Sequence, residues 1–315
     1  MKKVSILIPC YNEEDNIVDM VEGIKKIFKE NLQNYEYEII FIDNASEDKT
    51  REIIEKACEE NKNVKAIFNV KNFGQFNSPY YGILQTEGDC TITLACDFQD
   101  PLEMIPKFIE QWEKGYKIVV GVKKKSRENK LMFFLRTCYY KIVKIFSKVK
   151  QIEHFTGFGL YDKEFLDILR KIKDPTPFMR GLVAEYGYKI KEIPYIQPLR
   201  KKGKTKNNFY TLYDAAMLSF TSYTKFGLRL ATFSGIFVAL FSFIVGCVYL
   251  VLKLLYWDMF SAGLAPMLIG TFFLGAIQLF FIGFLGEYIM AINERVKNRP
   301  LVIEEKRINF EDEQK

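Results

Sequence analysis

Four short polar runs, each standing directly after an apolar run, hold the residues that could do chemistry. They are Pro9-Cys10-Tyr11-Asn12-Glu13-Glu14, Asp43-Asn44-Ala45-Ser46-Glu47-Asp48-Lys49-Thr50, Asn72-Phe73-Gly74 and Asp97-Phe98-Gln99-Asp100-Pro101. Asp97 follows Thr91-Ile92-Thr93-Leu94-Ala95-Cys96, which reads as a buried strand. A lone carboxylate at such a place is costly unless it is paired or bound to a cation. Mg²⁺ favours one or two carboxylates together with phosphate oxygens. Asp97, with Gln99 and Asp100 beside it, therefore points to a hard divalent ion bridging two phosphates. The blander role for Asp97, a helix cap, falls instead to Asp100, because Asp100-Pro101-Leu102-Glu103 has the form of a helix start. Asp43 can accept a hydrogen bond from a ribose hydroxyl or a base, and Asn12 and Glu13 would face the same nucleotide. Their alternatives are a turn-forming aspartate and an ordinary first-turn acid.

Positive charge is concentrated further along the chain. Arg200-Lys201-Lys202-Gly203-Lys204-Thr205-Lys206 surrounds one glycine, but it is no P-loop, since Pro198 stands where that motif needs glycine. Its place just before a membrane segment makes it a candidate phosphate clamp, with Arg127 and Arg136 as second candidates. The formal net charge of +6, from 45 Lys and Arg against 39 acids, suits anionic phosphates or lipid head groups rather than nucleic acid. Six cysteines show no CxxC pair and His154 is the single histidine. A zinc site is nearly excluded, and a reducing cytosol is expected.

The elements that must position these residues alternate in the βαβ manner. Strands are predicted at Val4–Pro9, Tyr37–Ile42, Val64–Asn69, Cys90–Cys96 and Tyr116–Val122. Helices are predicted at Glu13–Lys29, Lys49–Glu60, Gln75–Gln85 and from Asp100 onward. Such a chain forms an open, mainly parallel sheet with its ligand at the strand C-terminal ends. No signal peptide is expected ahead of the first strand. Residues 129–150 and Phe209–Tyr223 read as helices lying on a bilayer surface.

Two long uncharged stretches then follow. Leu230 to Leu252 is 23 residues and Met259 to Gly286 is 28; at about 1.5 Å per residue either can cross a hydrocarbon layer of about 30 Å. Lys225, Arg229, Arg295, Lys297 and Arg299 flank the pair, and the connecting loop carries only Lys253. The positive-inside rule then places both termini and the catalytic domain in the cytoplasm, on a multi-pass plasma-membrane protein. The expected organisation is a catalytic domain over 1–207, a juxtamembrane amphipathic segment over 208–227, a hairpin over 228–290 (spans near 230–252 and 262–286) and a charged, mobile tail over 291–315.

Taken together, PCYNEE, IDNASEDKT, NFGQ, DFQDPLE, the Arg180-Gly181-Leu182 step and RKKGKTK ahead of two spans closely resemble the family-2 glycosyltransferases that act on polyprenyl phosphates. Dolichyl-phosphate mannose synthases and bactoprenol glucosyltransferases are of this type. The resemblance implies an α/β GT-A fold, a nucleoside-diphosphate sugar donor, Mg²⁺ or Mn²⁺, and inversion at the anomeric carbon. Pro9, Tyr11, Asn12, Glu13, Asp43, Asn72 and Gly74 then look like donor-nucleotide residues. Asp97 and Gln99 look like the metal site, and Asp97, Asp100 and Arg127 like the catalytic set. Arg127, Arg136, Arg200 and Lys206 look like phosphate binders. Two positions depart from the family: Ala95 stands where an aspartate is common, and Thr156-Gly157-Phe158-Gly159 lacks the acid often found there.

A lipid phosphate has a second pKa near ~6, so its oxygen is already anionic at neutral pH and needs no base. The expected reaction is transfer of one hexose, from a UDP-sugar, to undecaprenyl phosphate. Two alternatives are a processive polysaccharide synthase, weakened by the missing QxxRW signature and the small number of spans, and a non-catalytic membrane scaffold, favoured only by Ala95 and Gly157. The sequence leaves a homo-oligomer open.

Overall fold

The computed structural model describes residues 1–124, 152–172, 174–186, 188–198, 209–224, 226–256 and 264–310. Alternation of strand and helix follows the sequence. β1 (Lys2–Cys10), β2 (Tyr35–Asp43), β3 (Val64–Asn69) and β4 (Cys90–Thr93) are separated by α1 (Ile17–Asn31), α2 (Thr50–Glu60) and α3 (Gly74–Leu84). Then come α4 (Met104–Glu113), β5 (Ile118–Lys123), β6 (Phe155–Asp162), α5 (Lys163–Lys171), α6 (Met179–Glu185) and β7 (Ile190–Tyr195). The chain continues through α7 (Phe209–Tyr223), α8 (Phe226–Leu255), α9 (Leu264–Lys297) and β8 (Glu304–Ile308).

The eight strands form one sheet in the order β7-β5-β6-β4-β1-β2-β3-β8. β1 pairs in parallel with β2 and β4, and β2 with β3. β6 is antiparallel to both its neighbours, and β8 is antiparallel to β3. Val4, Ile6 and Ile8 pack with Phe41 and with Met20, Ile24, Ile54 and Phe108 of α1, α2 and α4 on one face. Leu7, Ile40 and Ile42 pack with Ile83, Phe165, Leu169 and Leu182 of α3, α5 and α6 on the other. A parallel strand covered on both faces is apolar along most of its length, which is why these runs are near-continuous rather than alternating; the buried Ser5 and Glu38 are exceptions that bond each other.

Two expectations are corrected. Asp100 does not cap α4; the helix begins at Met104 behind Glu103, because the Asp100 carboxylate turns back to bond Ala95 N–H. The tail is not a free end. Val302 is buried, and β8 covers the β3 edge, which would otherwise present unpaired backbone groups. The expected helix over 129–150 lies outside the described residues, as do Arg127, Arg136, Arg200 and Lys206.

Among the described residues two helices are long and apolar enough to cross a membrane, through Leu228–Val248 (mean hydropathy 2.2) and Gly270–Lys297 (1.7), and neither window is buried. They start and finish against the α/β domain. Tyr288 OH donates to Thr224 O over 3.3 Å, and Arg295 donates to Ser222 Oγ over 3.0 Å and lies 3.9 Å from Asp174. The Tyr223 ring at the end of α7 occupies the space beside Gly181 of α6, where any Cβ would overlap it. Gly181→Val should therefore lower the unfolding free energy of the full chain by about 1–3 kcal/mol for overpacking, read as a lower denaturation midpoint. Adding Tyr223→Ala should recover part of the loss; strictly additive effects would contradict this contact.

Candidate functional site

Adjacent pairing in the order β4-β1-β2-β3 puts four loops side by side at the strand C-terminal ends. Three non-glycine residues in these loops have left-handed backbone: Asn12 (φ 55°), Ala45 (φ 61°) and Phe98 (φ 59°). Such conformations cost on the order of 1 kcal/mol and persist where surrounding bonds over-determine them. Here they do. Asn12 N–H donates to Ser46 Oγ and Glu47 N–H donates to Asn12 Oδ1, both over 2.8 Å. The Ser46 hydroxyl and N–H both donate to Asp43, and Glu13 N–H donates to Thr50 Oγ1 over 2.8 Å.

Asp43 thus makes the turn contact that the sequence left as its alternative role, while its carboxylate is wholly buried. Burial pushes its carboxyl above the usual range, against the Ser46 hydrogen bonds and the Arg51 guanidinium, whose Nε is 3.7 Å away. A buried anion of this kind favours a neighbouring donor such as a hydroxyl or an N–H edge.

The third loop is tied in through amides. Asn44 Nδ2 donates to Asn72 Oδ1 over 2.8 Å and toward Gly74 O over 3.3 Å. Asn44 Oδ1 accepts from Phe73 N–H over 2.9 Å and from Asn69 Nδ2 over 3.1 Å. Gly74 has φ 87°, a conformation that glycine adopts without steric cost. Asn72 and Gly74 therefore shape the rim, and both are exposed.

In the fourth loop Asp97 is 6% exposed, and its Oδ1 accepts Gln99 N–H over 3.1 Å. No group of three or more His, Cys, Asp or Glu gathers among the described residues. Asp97 alone could lend one carboxylate to a hard cation whose other ligands come from outside the protein. Asp100 is engaged elsewhere: its Oδ2 accepts Ala95 N–H over 2.9 Å and its Oδ1 accepts Tyr195 OH over 3.1 Å. At 7% exposure, burial pushes the Asp100 carboxyl up to about 6, with Asp97 adding to the rise. The bonds from Ala95 and Tyr195 and the charge of Lys123 oppose it.

The expected residues Pro9, Tyr11, Asn12, Glu13, Asp43, Asn72, Gly74, Asp97, Gln99 and Asp100 all lie in or beside these loops. Sequence reasoning passed over Asn44, Ser46, Arg51 and Tyr195. Asn44 and Ser46 carried a signal, standing within the Asp43–Thr50 run. Tyr195 carried none, since its partner Asp100 is 95 residues away; Arg51 stands eight residues after Asp43 but reads as an ordinary exposed residue of a helix first turn. At Gly157 (φ 105°) the carbonyl accepts from Thr93 Oγ1 and Tyr161 OH, so this part of the crevice wall is built from backbone.

Asp100 makes a prediction. Its folded value, raised from 3.8 to about 6, means that the native state binds the proton more tightly, so stability falls as pH rises through this window. Asp100→Asn keeps an acceptor for Ala95 N–H and turns an amide N–H toward Tyr195, whose hydroxyl must then accept instead of donate. It should remove a pH-dependent loss on the order of 2–3 kcal/mol between about pH 4 and 6. Denaturation at stepped pH tests this; an unchanged profile would contradict the burial of a titrating carboxyl here.

Comparison with known proteins places these loops in a lineage. The model of glycosyl transferase family 2 matches residues 5–187. A bactoprenol glucosyl transferase of Shigella phage SfX is 31% identical over 299 residues, covering 95% of this chain and 97% of its own length. An SfII prophage-derived bactoprenol glucosyl transferase of Shigella flexneri is 32% identical over 302 residues, covering 96% and 97%. Among solved structures, a mannosyltransferase from Pyrobaculum calidifontis in complex with GDP-Man and Mn²⁺ aligns with a TM-score of 0.46 at 14% identity, covering 94% of this chain and 87% of its own. The chain belongs to glycosyl transferase family 2 and is a glycosyltransferase.

Proposed function

We propose that this glycosyltransferase moves a single sugar, with inversion, from a nucleoside-diphosphate sugar of the UDP-hexose type to a polyprenyl phosphate such as undecaprenyl phosphate. The observation that carries the proposal is the reach of the similarity. The bactoprenol glucosyl transferases match over 95–96% of the chain, so the likeness extends through both apolar helices as well as the catalytic sheet. An enzyme whose similarity stopped at the sheet would leave the acceptor open. One that includes the hairpin favours an acceptor held in a membrane.

In this reading Asp43, Asn12 and Glu13, with Pro9 and Tyr11 beside them, bind the nucleotide at the β1 and β2 ends, and the Asn72–Gly74 loop closes its rim. Asp97 would hold Mg²⁺ or Mn²⁺ against the diphosphate, and that ion, when bound, supplies positive charge to the leaving group. Arg127, Arg136, Arg200 and Lys206 are proposed from sequence to bind the diphosphate and the lipid phosphate. No protein base is required, because a phosphate monoester is largely dianionic at neutral pH. This fits the commitment of both Asp100 oxygens to Ala95 and Tyr195, and casts Asp100 as the residue that holds the Asp97 loop.

The hairpin reading is supported by what flanks the helices. Tyr223 packs at Gly181 before α8, and β8 rejoins the sheet after α9. Both ends of the pair thus lie against the catalytic domain, as expected when two spans leave from and return to one side. The lysine and arginine bias favours the cytoplasmic face of the plasma membrane for that side, and a polyprenyl phosphate acceptor would suit a role in cell-envelope synthesis.

Asp97→Asn should abolish transfer in Mg²⁺ or Mn²⁺ while leaving the unfolding free energy within about 1 kcal/mol, since the amide fits the space but lacks the charge. The loss of barrier stabilisation should amount to several kcal/mol, about a thousandfold in rate or more. Transfer by the wild-type chain should likewise stop with a chelator and return on adding the metal. Near-normal turnover by Asp97→Asn would refute the metal assignment.

A further inference from the structure

The strand that follows the second apolar helix does more than cover an edge. Ile303 O accepts Val70 N–H over 3.1 Å, at the start of the loop that carries Asn72 and Gly74. Two residues later Glu305 Oε2 accepts from Arg51 Nη2 over 2.8 Å. Arg51 lies in the first turn of α2, its guanidinium carbon 5.0 Å from the centre of the Phe68 ring. Its Nε faces Asp43 Oδ2 at 3.7 Å. One guanidinium is therefore held by a tail carboxylate at one end, a buried carboxylate at the other, and an aromatic face alongside.

The two ends differ in strength. The Glu305 contact has hydrogen-bond length, whereas 3.7 Å to Asp43 is an ion pair without a well-formed hydrogen bond. Arginine carries large rotamer freedom, so a single long contact does not fix it. Glu305 supplies the short contact that does. Asp43 has no exposed surface and Arg51 is 29% exposed, so the effect of the guanidinium on the carboxylate is poorly screened by solvent, while Glu305 itself is half exposed.

We propose that Glu305 is a positioning residue for the donor nucleotide: it holds Arg51 against Asp43, and so ties the strand leaving the membrane hairpin to the nucleotide end of β2. This rests on the reading of Asp43 as a nucleotide-binding residue. A tail that only stabilised the sheet edge would act equally through its other contacts, such as the 3.0 Å ion pair of Lys306 with Glu55 and the two 2.8 Å bonds from Asn309 Nδ2 to Cys58 O and Val64 O.

The test is calorimetric titration of UDP with Mg²⁺ into the purified full chain. Glu305→Ala should weaken binding about two- to fivefold, the range of a partly exposed ion pair, with Lys306→Ala at wild-type affinity. In an Arg51→Ala background Glu305→Ala should have no further effect, because the route passes through that guanidinium. Unaltered affinity for Glu305→Ala would overturn the proposal alone, as would an equal loss in the Lys306→Ala chain or in the Arg51→Ala background. A wild-type chain that fails to bind UDP would overturn the UDP reading, and this proposal with it.

Discussion

The parallel pairing of β1 with β2 on one side and β4 on the other is the constraint on which the crevice depends. Its register sets Cys10 opposite Asp43 and Leu7 opposite Thr93, so the chain that leaves β1 runs between the loops carrying Asp43 and Asp97. A slip of one residue would exchange the two faces, sending Ile6 and Ile8 toward α3 and Leu7 toward α1, and each face is packed. The continuous burial of β1 and β2 therefore fixes where two acids stand. Those acids are tolerated at the end of a water-free sheet because each is met at once: Asp43 by Ser46 and Arg51, Asp97 by Gln99 N–H.

The loops translate that register into a binding surface. Left-handed backbone at Asn12, Ala45 and Phe98 turns each chain sharply as it leaves its strand, and the cross-loop bonds of Ser46, Asn44 and Asp100 hold those turns. In the proposed reaction, a diphosphate sugar would need a surface that is preorganised before charge develops on the leaving group. The cost of that order is borne by residues that need not touch substrate at all, which is why Ser46, Asn44 and Tyr195 belong to the account.

Much of this was legible in the sequence where the signal is local. Val64–Asn69 has the same bounds in the sequence reading and in the structure, and the α7 helix over Phe209–Tyr223 also agrees. What escaped depends on remote partners. Asp100-Pro101-Leu102-Glu103 has every mark of a helix start, yet Asp100 is claimed by Ala95 and by Tyr195, 95 residues away. The tail after Pro300 looked like a charged loose end because Glu304, Glu305, Lys306 and Arg307 dominate it. Glu304 and Arg307 pair locally, but Glu305, Lys306 and Arg307 reach Arg51, Glu55 and Gln85, more than 200 residues earlier, beyond any local pattern.

This tail also changes how the hairpin should be viewed. Removing the apolar helices by truncation would remove β8 and the Glu305 contact as well, so the apolar helices and the sheet are joined through this tail. The central claim is that this unit presents a nucleotide-sugar crevice to a lipid phosphate. The most direct measurement supplies labelled UDP-hexoses one at a time to the full chain in vesicles containing undecaprenyl phosphate, with Mg²⁺ or Mn²⁺. The account predicts one donor whose label enters the lipid fraction as a single sugar per lipid phosphate, and only when that phosphate is present. Label appearing as free sugar or as polymer, independent of the lipid phosphate, would contradict it.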